Sequence, residues 1–268
     1  VNATEDDSPD IRYSVADNGV ATITFNRPQQ LNALTTAMLT ETLPQMCAAA
    51  GSDPAVKVVV ITGTGRGFCT GADVSNHIPS LLSAPDSTTL QRPLGSLVLP
   101  VWQIPKPVIA ALNGVAAGGG MSLACAADFR IMAQSASFVA AFVRRGLMPD
   151  SGLTYLLPKL IPRSRALRIM MTGAKVSAAE ALELGLADEV VPDDELAAAA
   201  HAFAAQLAAG PAIALSFTKR AVQRADEHTL AAQLEFESWG QTTCFKTDDF
   251  HEGLAAFAQK RPPVFRGR

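Results

Sequence analysis

The sequence lacks the features that mark several large classes of protein. No apolar run approaches the roughly 20 residues needed to cross a bilayer, so no membrane partner is expected. There is no basic block either. Twenty-two Lys and Arg stand against 25 Asp and Glu, a formal charge of -3, and a nucleic-acid backbone is not an expected partner. The four cysteines, Cys47, Cys69, Cys125 and Cys244, lie far apart and form neither a C-x-x-C pair nor a His-assisted zinc spacing. They are expected to be free thiols in a reducing compartment, with no metal site. The first ten residues, VNATEDDSPD, lack the basic and apolar segments of an export signal and are expected to fray. The expected location is cytoplasmic.

What is present is a globule-forming chain: 48% of its 268 residues are apolar, enough for a substantial core. IRYSV (11–15) and VATITF (20–25) flank Asp17-Asn18-Gly19 and predict a hairpin. VKVVVITG (56–63) and PVIAALNG (107–114) are unbroken apolar runs ending in glycine, as strands buried on both faces are. Ala- and Leu-rich helical stretches alternate with them, which is an α/β pattern. The proline-bearing stretch 76–106 predicts a mobile segment at 76–88 leading into a short helix. Beyond residue 193 the pattern is helical, with Asp193 or Asp194 placed to cap a helix that Gly210 can end. The expected organisation is a disordered 1–10, a core at 11–193 and a helical region at 194–268.

Two stretches combine a strand end with glycine. ITGTGRGFCTGADV (61–74) carries Gly63, Gly65, Gly67 and Gly71, which let backbone N–H groups approach a ligand. It is not a dinucleotide fingerprint, because the third glycine falls one residue early for G-x-G-x-x-G, and no G-K-[ST] follows to make a phosphate loop. NGVAAGGGMSLACAADF (113–129) leads through Gly118-Gly119-Gly120 into a helical pattern whose N-terminus offers unpaired N–H donors. Two readings are open: tight turns that serve close packing, or two N–H groups aimed at one oxygen, which is an oxyanion hole in kind.

NRPQQLNAL (26–34), GRGFCTGADV (65–74), KPVIAALNGVAAGGG (106–120), MTGAKVSAAEALELGLADEVV (171–191) and GLAAFAQKRPPVF (253–265) occur in that order. In these motifs the chain resembles the crotonase, or enoyl-CoA hydratase/isomerase, superfamily from about residue 11 to its C-terminus. The resemblance implies a crotonase-like spiral of ββα turns with a C-terminal helical trimerisation region, assembled as a homotrimer or as a hexamer made of two trimers. It implies an acyl-CoA thioester as substrate, no cofactor, and an oxyanion hole formed by the backbone N–H groups of Ala72 and Gly119.

Hydratases of that superfamily use two glutamates to position and deprotonate water. The matching positions here are Ser122 and Phe142, neither of which is a carboxylate base. Asp150, in GLMPDSGLTY, has two readings. It can cap the helix that follows, or it can be the single acid/base that isomerases of the superfamily carry at this place, as in ring-1,2-epoxyphenylacetyl-CoA isomerases and Δ3-Δ2-enoyl-CoA isomerases. In the second reading an apolar lining from Phe142, Leu147 and Leu153 would disfavour its charged form. A hydratase with non-standard groups and a non-catalytic acyl-CoA-binding protein are the alternatives. The resemblance further implies that Gln30 and Leu31 line the CoA path near Gly71 and Asp73. It also implies that Phe257 and Lys260, one helical turn apart, reach the CoA of a neighbouring subunit.

Overall fold

The computed structural model describes residues 9–75 and 96–268; the segment expected to be mobile at 76–88 lies outside them. The chain opens with the expected hairpin. β1 (Ile11–Val15) and β2 (Val20–Phe25) pair antiparallel, with Ile11 opposite Phe25 and Val15 opposite Ala21. Gly19 makes the turn at φ 82, a conformation that costs glycine little.

From β2 onward every pairing in the large sheet is parallel: β2 with β3 (Val58–Gly63), β3 with β5 (Val108–Leu112), β5 with β7 (Phe129–Ala133), and β7 with β10 (Glu189–Val191). β3 and β5 are the two unbroken apolar runs. Val58 to Ile61 and the whole of β5 are buried, as a parallel strand covered on both faces requires. A second sheet of four strands lies in the order β4 (Gly67–Cys69), β6 (Val115–Ala117), β8 (Ser137–Val139) and β9 (Lys175–Ser177). The chain alternates between the two sheets: β3 runs into β4, β5 into β6, and β7 into β8. Helices return it to the next turn, which is the spiral the resemblance implies.

The helices are α1 (Leu43–Ser52), α2 (Leu99–Trp102), α3 (Gly119–Ala126), α4 (Leu153–Leu160), α5 (Arg163–Thr172), α6 (Ala178–Glu183), α7 (Leu196–Ala208), α8 (Ala212–Arg224), α9 (Leu230–Cys244) and α10 (Asp248–Gln259). All eight residues of α3 are buried. α7 packs on the large sheet through Leu196, Ala200, Ala204 and Ala208, four residues apart on one face. The change of packing therefore comes after Gly210, and not at 194. Asp193 does not cap α7: it accepts a hydrogen bond from the Ser135 N–H at 2.9 Å, and α7 begins without a side-chain cap.

α8 buries no residue, and α9 buries only Gly240. Between them is an apolar groove of about 970 Å³ lined by Phe217, Val222, Leu234, Phe236 and Phe245. Polar contacts fasten α8 to the core, among them a hydrogen bond from Lys219 to the Lys106 carbonyl at 3.0 Å. Lys219 meets Asp128 at 2.7 Å with both side chains largely buried, and Gln223 donates to the Trp102 carbonyl at 3.1 Å. Asp128 also accepts from the Val108 N–H at 2.7 Å, so it is a structural acid. Among the described residues no single helix is long and apolar enough to cross a membrane.

Removing the buried Lys219 charge leaves Asp128 without its cationic partner. Lys219→Met is expected to lower stability by about 3 kcal/mol in urea unfolding. Lys159→Met, which removes a more exposed pair with Asp226 at 2.9 Å, is expected to cost at most about 1 kcal/mol.

Candidate active site

The first glycine turn leaves the end of β3 and is pinned by two amide side chains. Asn32, fully buried at φ 59, donates to the carbonyls of Thr64 at 3.0 Å and Gly67 at 2.7 Å, and accepts from the Arg27 N–H at 2.8 Å. Asn113 accepts from the Gly63 N–H at 3.1 Å and donates to Gly65 and Gly67. Neither stood out in the sequence. For Asn113 the available signal was an asparagine inside an otherwise apolar stretch, since an amide there must find partners.

Ala72 forms a parallel bridge with Leu34. The bridge uses the Gly71 carbonyl, 2.8 Å from the Leu34 N–H, and the Asp73 N–H, 2.9 Å from the Leu34 carbonyl. In such a bridge the intervening N–H of Ala72 points to the opposite side. No described group accepts it.

The second glycine turn meets the first. Gly118 leaves β6 at φ 53, and its carbonyl accepts from the Met121 and Ser122 N–H groups. The Gly119 N–H belongs to the first turn of α3, where no intrahelical acceptor exists and the helix dipole is positive. A Cβ on Gly71 would stand 2.9 Å from that nitrogen, and a Cβ on Gly120 would overlap the Cys69 carbonyl. The two turns are thus in backbone contact. Cys69 itself is fully buried, and burial pushes its thiol up to about 12, which rules out a thiolate nucleophile at neutral pH.

Asp150 approaches the same place from a third segment. Phe142 is 9% exposed, and its Cζ lies 4.0 Å from where a Gly118 Cβ would be. The chain then passes through a short helical turn at Val143–Arg145 and reaches Asp150. The capping reading of Asp150 does not hold. The N-cap of α4 is Gly152, without a side-chain cap; only the Asp150 carbonyl serves the helix, accepting from the Leu153 N–H at 3.0 Å. The Asp150 carboxylate instead accepts from the Ser151 hydroxyl at 2.9 Å. Ser151 Oγ lies 4.0 Å from a Cβ built on Gly119. Ser122, fully buried, has its hydroxyl 3.3 Å from the Asp150 carbonyl and 3.5 Å from that of Gly118. It ties the segment to α3.

The apolar lining expected around Asp150 is not formed by the three residues named for it. Leu147 is 53% exposed, Leu153 points into the core, and Asp150 itself is exposed. The physical reason is the run of two left-handed residues, Ser151 at φ 50 and Gly152 at φ 77, which turns α4 inward and leaves the preceding residues at the rim.

Of the outer residues, Gln30 and Leu31 do sit beside the first glycine turn, their carbonyls 3.5 and 3.3 Å from the Thr70 hydroxyl. Asp73 is near them but is committed to the fold. It pairs with Arg27 at 2.9 Å and accepts from the Ser75 hydroxyl at 2.6 Å. Those bonds, Ser75 first and Arg27 next, hold its carboxyl down to about 2. Phe257 is 86% exposed on α10. Lys260 does not share its helical face: α10 ends at Gln259, and Lys260 is the C-cap at φ 52. The tail beyond folds back, its Arg266 and Gly267 N–H groups bonding to Asp249 at 2.6 and 2.8 Å. No cluster of three or more possible metal ligands occurs among the described residues.

A carboxyl held low stabilises the fold above the ordinary carboxylate range, and that contribution is lost as pH falls from about 4 through about 2. Asp73→Asn is therefore expected to cost on the order of 1 kcal/mol at neutral pH, allowing for solvent screening. The gap to wild type in urea unfolding should close as pH approaches 2; a constant gap contradicts the assignment.

The enoyl-CoA hydratase/isomerase family model matches residues 15–268. "Probable enoyl-CoA hydratase" of Rhodobacter capsulatus is 41% identical over 258 residues, covering 96% of this chain and 98% of the relative. "1,2-Epoxyphenylacetyl-CoA isomerase" of Escherichia coli is 40% identical over 260 residues, covering 95% and 98%. A crystal structure of a Streptomyces coelicolor A3(2) protein superposes with a TM-score of 0.92 at 39% identity, over 100% of this chain and 98% of that one. With the two-sheet spiral and the paired glycine turns, these matches establish that the chain belongs to the enoyl-CoA hydratase/isomerase, or crotonase, family.

Proposed function

We propose that this acyl-CoA enzyme moves a double bond in an enoyl-CoA thioester, with Asp150 as the acid and base. The observation that carries the reading is the Asp150 carboxylate itself, which the following helix does not use and which accepts from Ser151, whose Oγ lies 4.0 Å from a Cβ built on Gly119. The N–H groups of Ala72 and Gly119 are taken to grip the thioester oxygen. A thioester acidifies its α-proton, and fixed donors act most strongly on the enolate oxygen that forms. Asp150 removes a proton from the acyl chain, the dienolate is held in the hole, and Asp150 returns the proton two carbons away. The proton count is unchanged and no water is consumed.

The two positions at which hydratases of the family carry glutamate support the same choice. Ser122 is spent on backbone carbonyls, and Phe142 puts an aromatic edge near Gly118 where a carboxylate would order water. The E. coli relative carries the name of an acyl-CoA isomerase, and the R. capsulatus relative that of a hydratase. The family works without a cofactor. The reading extends to assembly: the apolar groove between α8 and α9 and the exposed Phe257 would be covered in a trimer or a hexamer of two trimers, with Phe257 and Lys260 reaching a neighbour's CoA.

The test gives wild type and Asp150→Asn a panel of 2-enoyl- and 3-enoyl-CoA thioesters in D2O, followed by absorbance and product mass. Wild type should interconvert the isomers with deuterium incorporation, and the variant should lose at least about a thousandfold in rate. Addition of water by wild type shows a hydratase with other acids. Binding by both proteins without turnover shows an acyl-CoA-binding protein.

A further inference from the structure

We propose that Ser151 is a positioning residue: its hydroxyl holds one oxygen of the Asp150 carboxylate so that the other faces the acyl chain beside Gly119. This inference rests on the reading of Asp150 as the acid and base.

The first ground is geometric. Ser151 Oγ donates to Asp150 Oδ1 at 2.9 Å, and no other described side chain contacts that carboxylate through a hydrogen bond or an ion pair. Ser151 is 7% exposed, so the hydroxyl that restrains the exposed carboxylate is itself held inside the protein. Its Oγ lies 4.0 Å from the position of a Gly119 Cβ, at the contact between the Asp150 segment and α3.

The second ground is backbone strain. Ser151 adopts φ 50, a left-handed conformation that glycine tolerates and serine does not favour. The very next residue, Gly152 at φ 77, shows the conformation met by glycine. A strained serine beside a catalytic candidate is the kind of outlier from which a role is inferred, and the role available to its side chain is the bond to Asp150.

The third ground is that the backbone of Asp150 is held as well. The Ser122 hydroxyl lies between the carbonyls of Gly118 and Asp150, at 3.5 and 3.3 Å. One serine ties the main chain of Asp150 to α3, and the other sets its carboxylate. Proton transfer needs that economy of motion, because a misplacement of about 1 Å can cost a hundredfold in rate.

Charged groups on the neighbouring elements do not supply the restraint. α3 and the turn at Ser96–Val98 carry no titratable acid or base besides Cys125. On α4, Tyr155 donates to Glu227 at 2.7 Å and Lys159 pairs with Asp226 at 2.9 Å. Arg144 and Arg145 are exposed, and neither they nor Arg163, Arg165 and Arg168 of α5 form an ion pair with Asp150. During turnover Ser151 keeps its proton: it donates to Oδ1 while the other oxygen takes the substrate proton and gives it back.

The experiment compares Ser151→Gly and Ser151→Ala with wild type and Asp150→Asn. It records kcat, KM and solvent deuterium exchange into the thioester. Glycine suits the left-handed backbone, so Ser151→Gly should fold at least as well as wild type and isolates the hydroxyl. The expected result for both serine variants is a kcat lower by roughly 10- to 100-fold, the scale of a lost hydrogen bond to a charged group, with KM changed by less than about twofold. Solvent deuterium exchange into the thioester should slow in step with kcat, because the restraint acts on the proton transfer and not on binding. A Ser151→Gly enzyme with wild-type kcat and wild-type deuterium exchange overturns the proposal while the role of Asp150 stands. An Asp150→Asn enzyme that still exchanges deuterium, or a wild type that never does, overturns the role of Asp150 and this proposal with it.

Discussion

The structure depends on one close approach of backbone to backbone. β4 lies against β6 and α3 because Gly114, just before β6, and Gly120, in the first turn of α3, have no side chains: a Cβ on Gly114 would overlap the Arg66 carbonyl, and one on Gly120 would overlap the Cys69 carbonyl. Side chains there would force the strands apart and separate the loop after β4 from the N-terminus of α3. With glycine at both ends, the Gly71–Ala72 turn is pressed onto Gly119. The buried Asn32 amide and the partly buried Asn113 amide satisfy the carbonyls that this crowding would otherwise strand. The packing that makes the fold and the geometry that could hold an oxygen have the same cause.

The third element of the site is attached to that contact by small polar groups. α3 is buried along its whole length and offers hydroxyl-bearing Ser122 at the point where the Asp150 segment crosses. A glutamate at 122 would need a polar cavity that this crossing does not leave, since the Ser122 side chain has no exposed surface. The small side chain at 122 and the anchoring of the Asp150 backbone are therefore linked, and a larger side chain there would have to move the segment that leads into α4.

Much of the scaffold was legible in the sequence because it rests on local rules. Alternation and a glycine-ended turn gave the hairpin, and unbroken Val and Ile runs gave the parallel strands β3 and β5. Ala200 and Ala204 recur at a helical period, but periodicity alone does not say what a helix packs against, so α7 was assigned to the wrong side of the change in packing. The same limit applied to Lys260. Its spacing from Phe257 was helical, but the helix ends one residue earlier because the tail is drawn back onto Asp249, a contact between residues far apart in sequence.

The two glycine turns were legible in their residue types and not in their contact with each other. Glycine density marked both turns, since few other uses require so many. Asp150 was ambiguous because capping and catalysis call for the same residue in the same place, and only the positions of Ser151 and Gly152 separate them. A proline, an acid, a serine and a glycine before an apolar run read as an ordinary helix start. It is the left-handed backbone at Ser151 that moves the cap to Gly152 and turns the acid away from the helix. A single conformational choice, costly for serine and invisible to pattern, thus decides that the carboxylate is not spent on the helix.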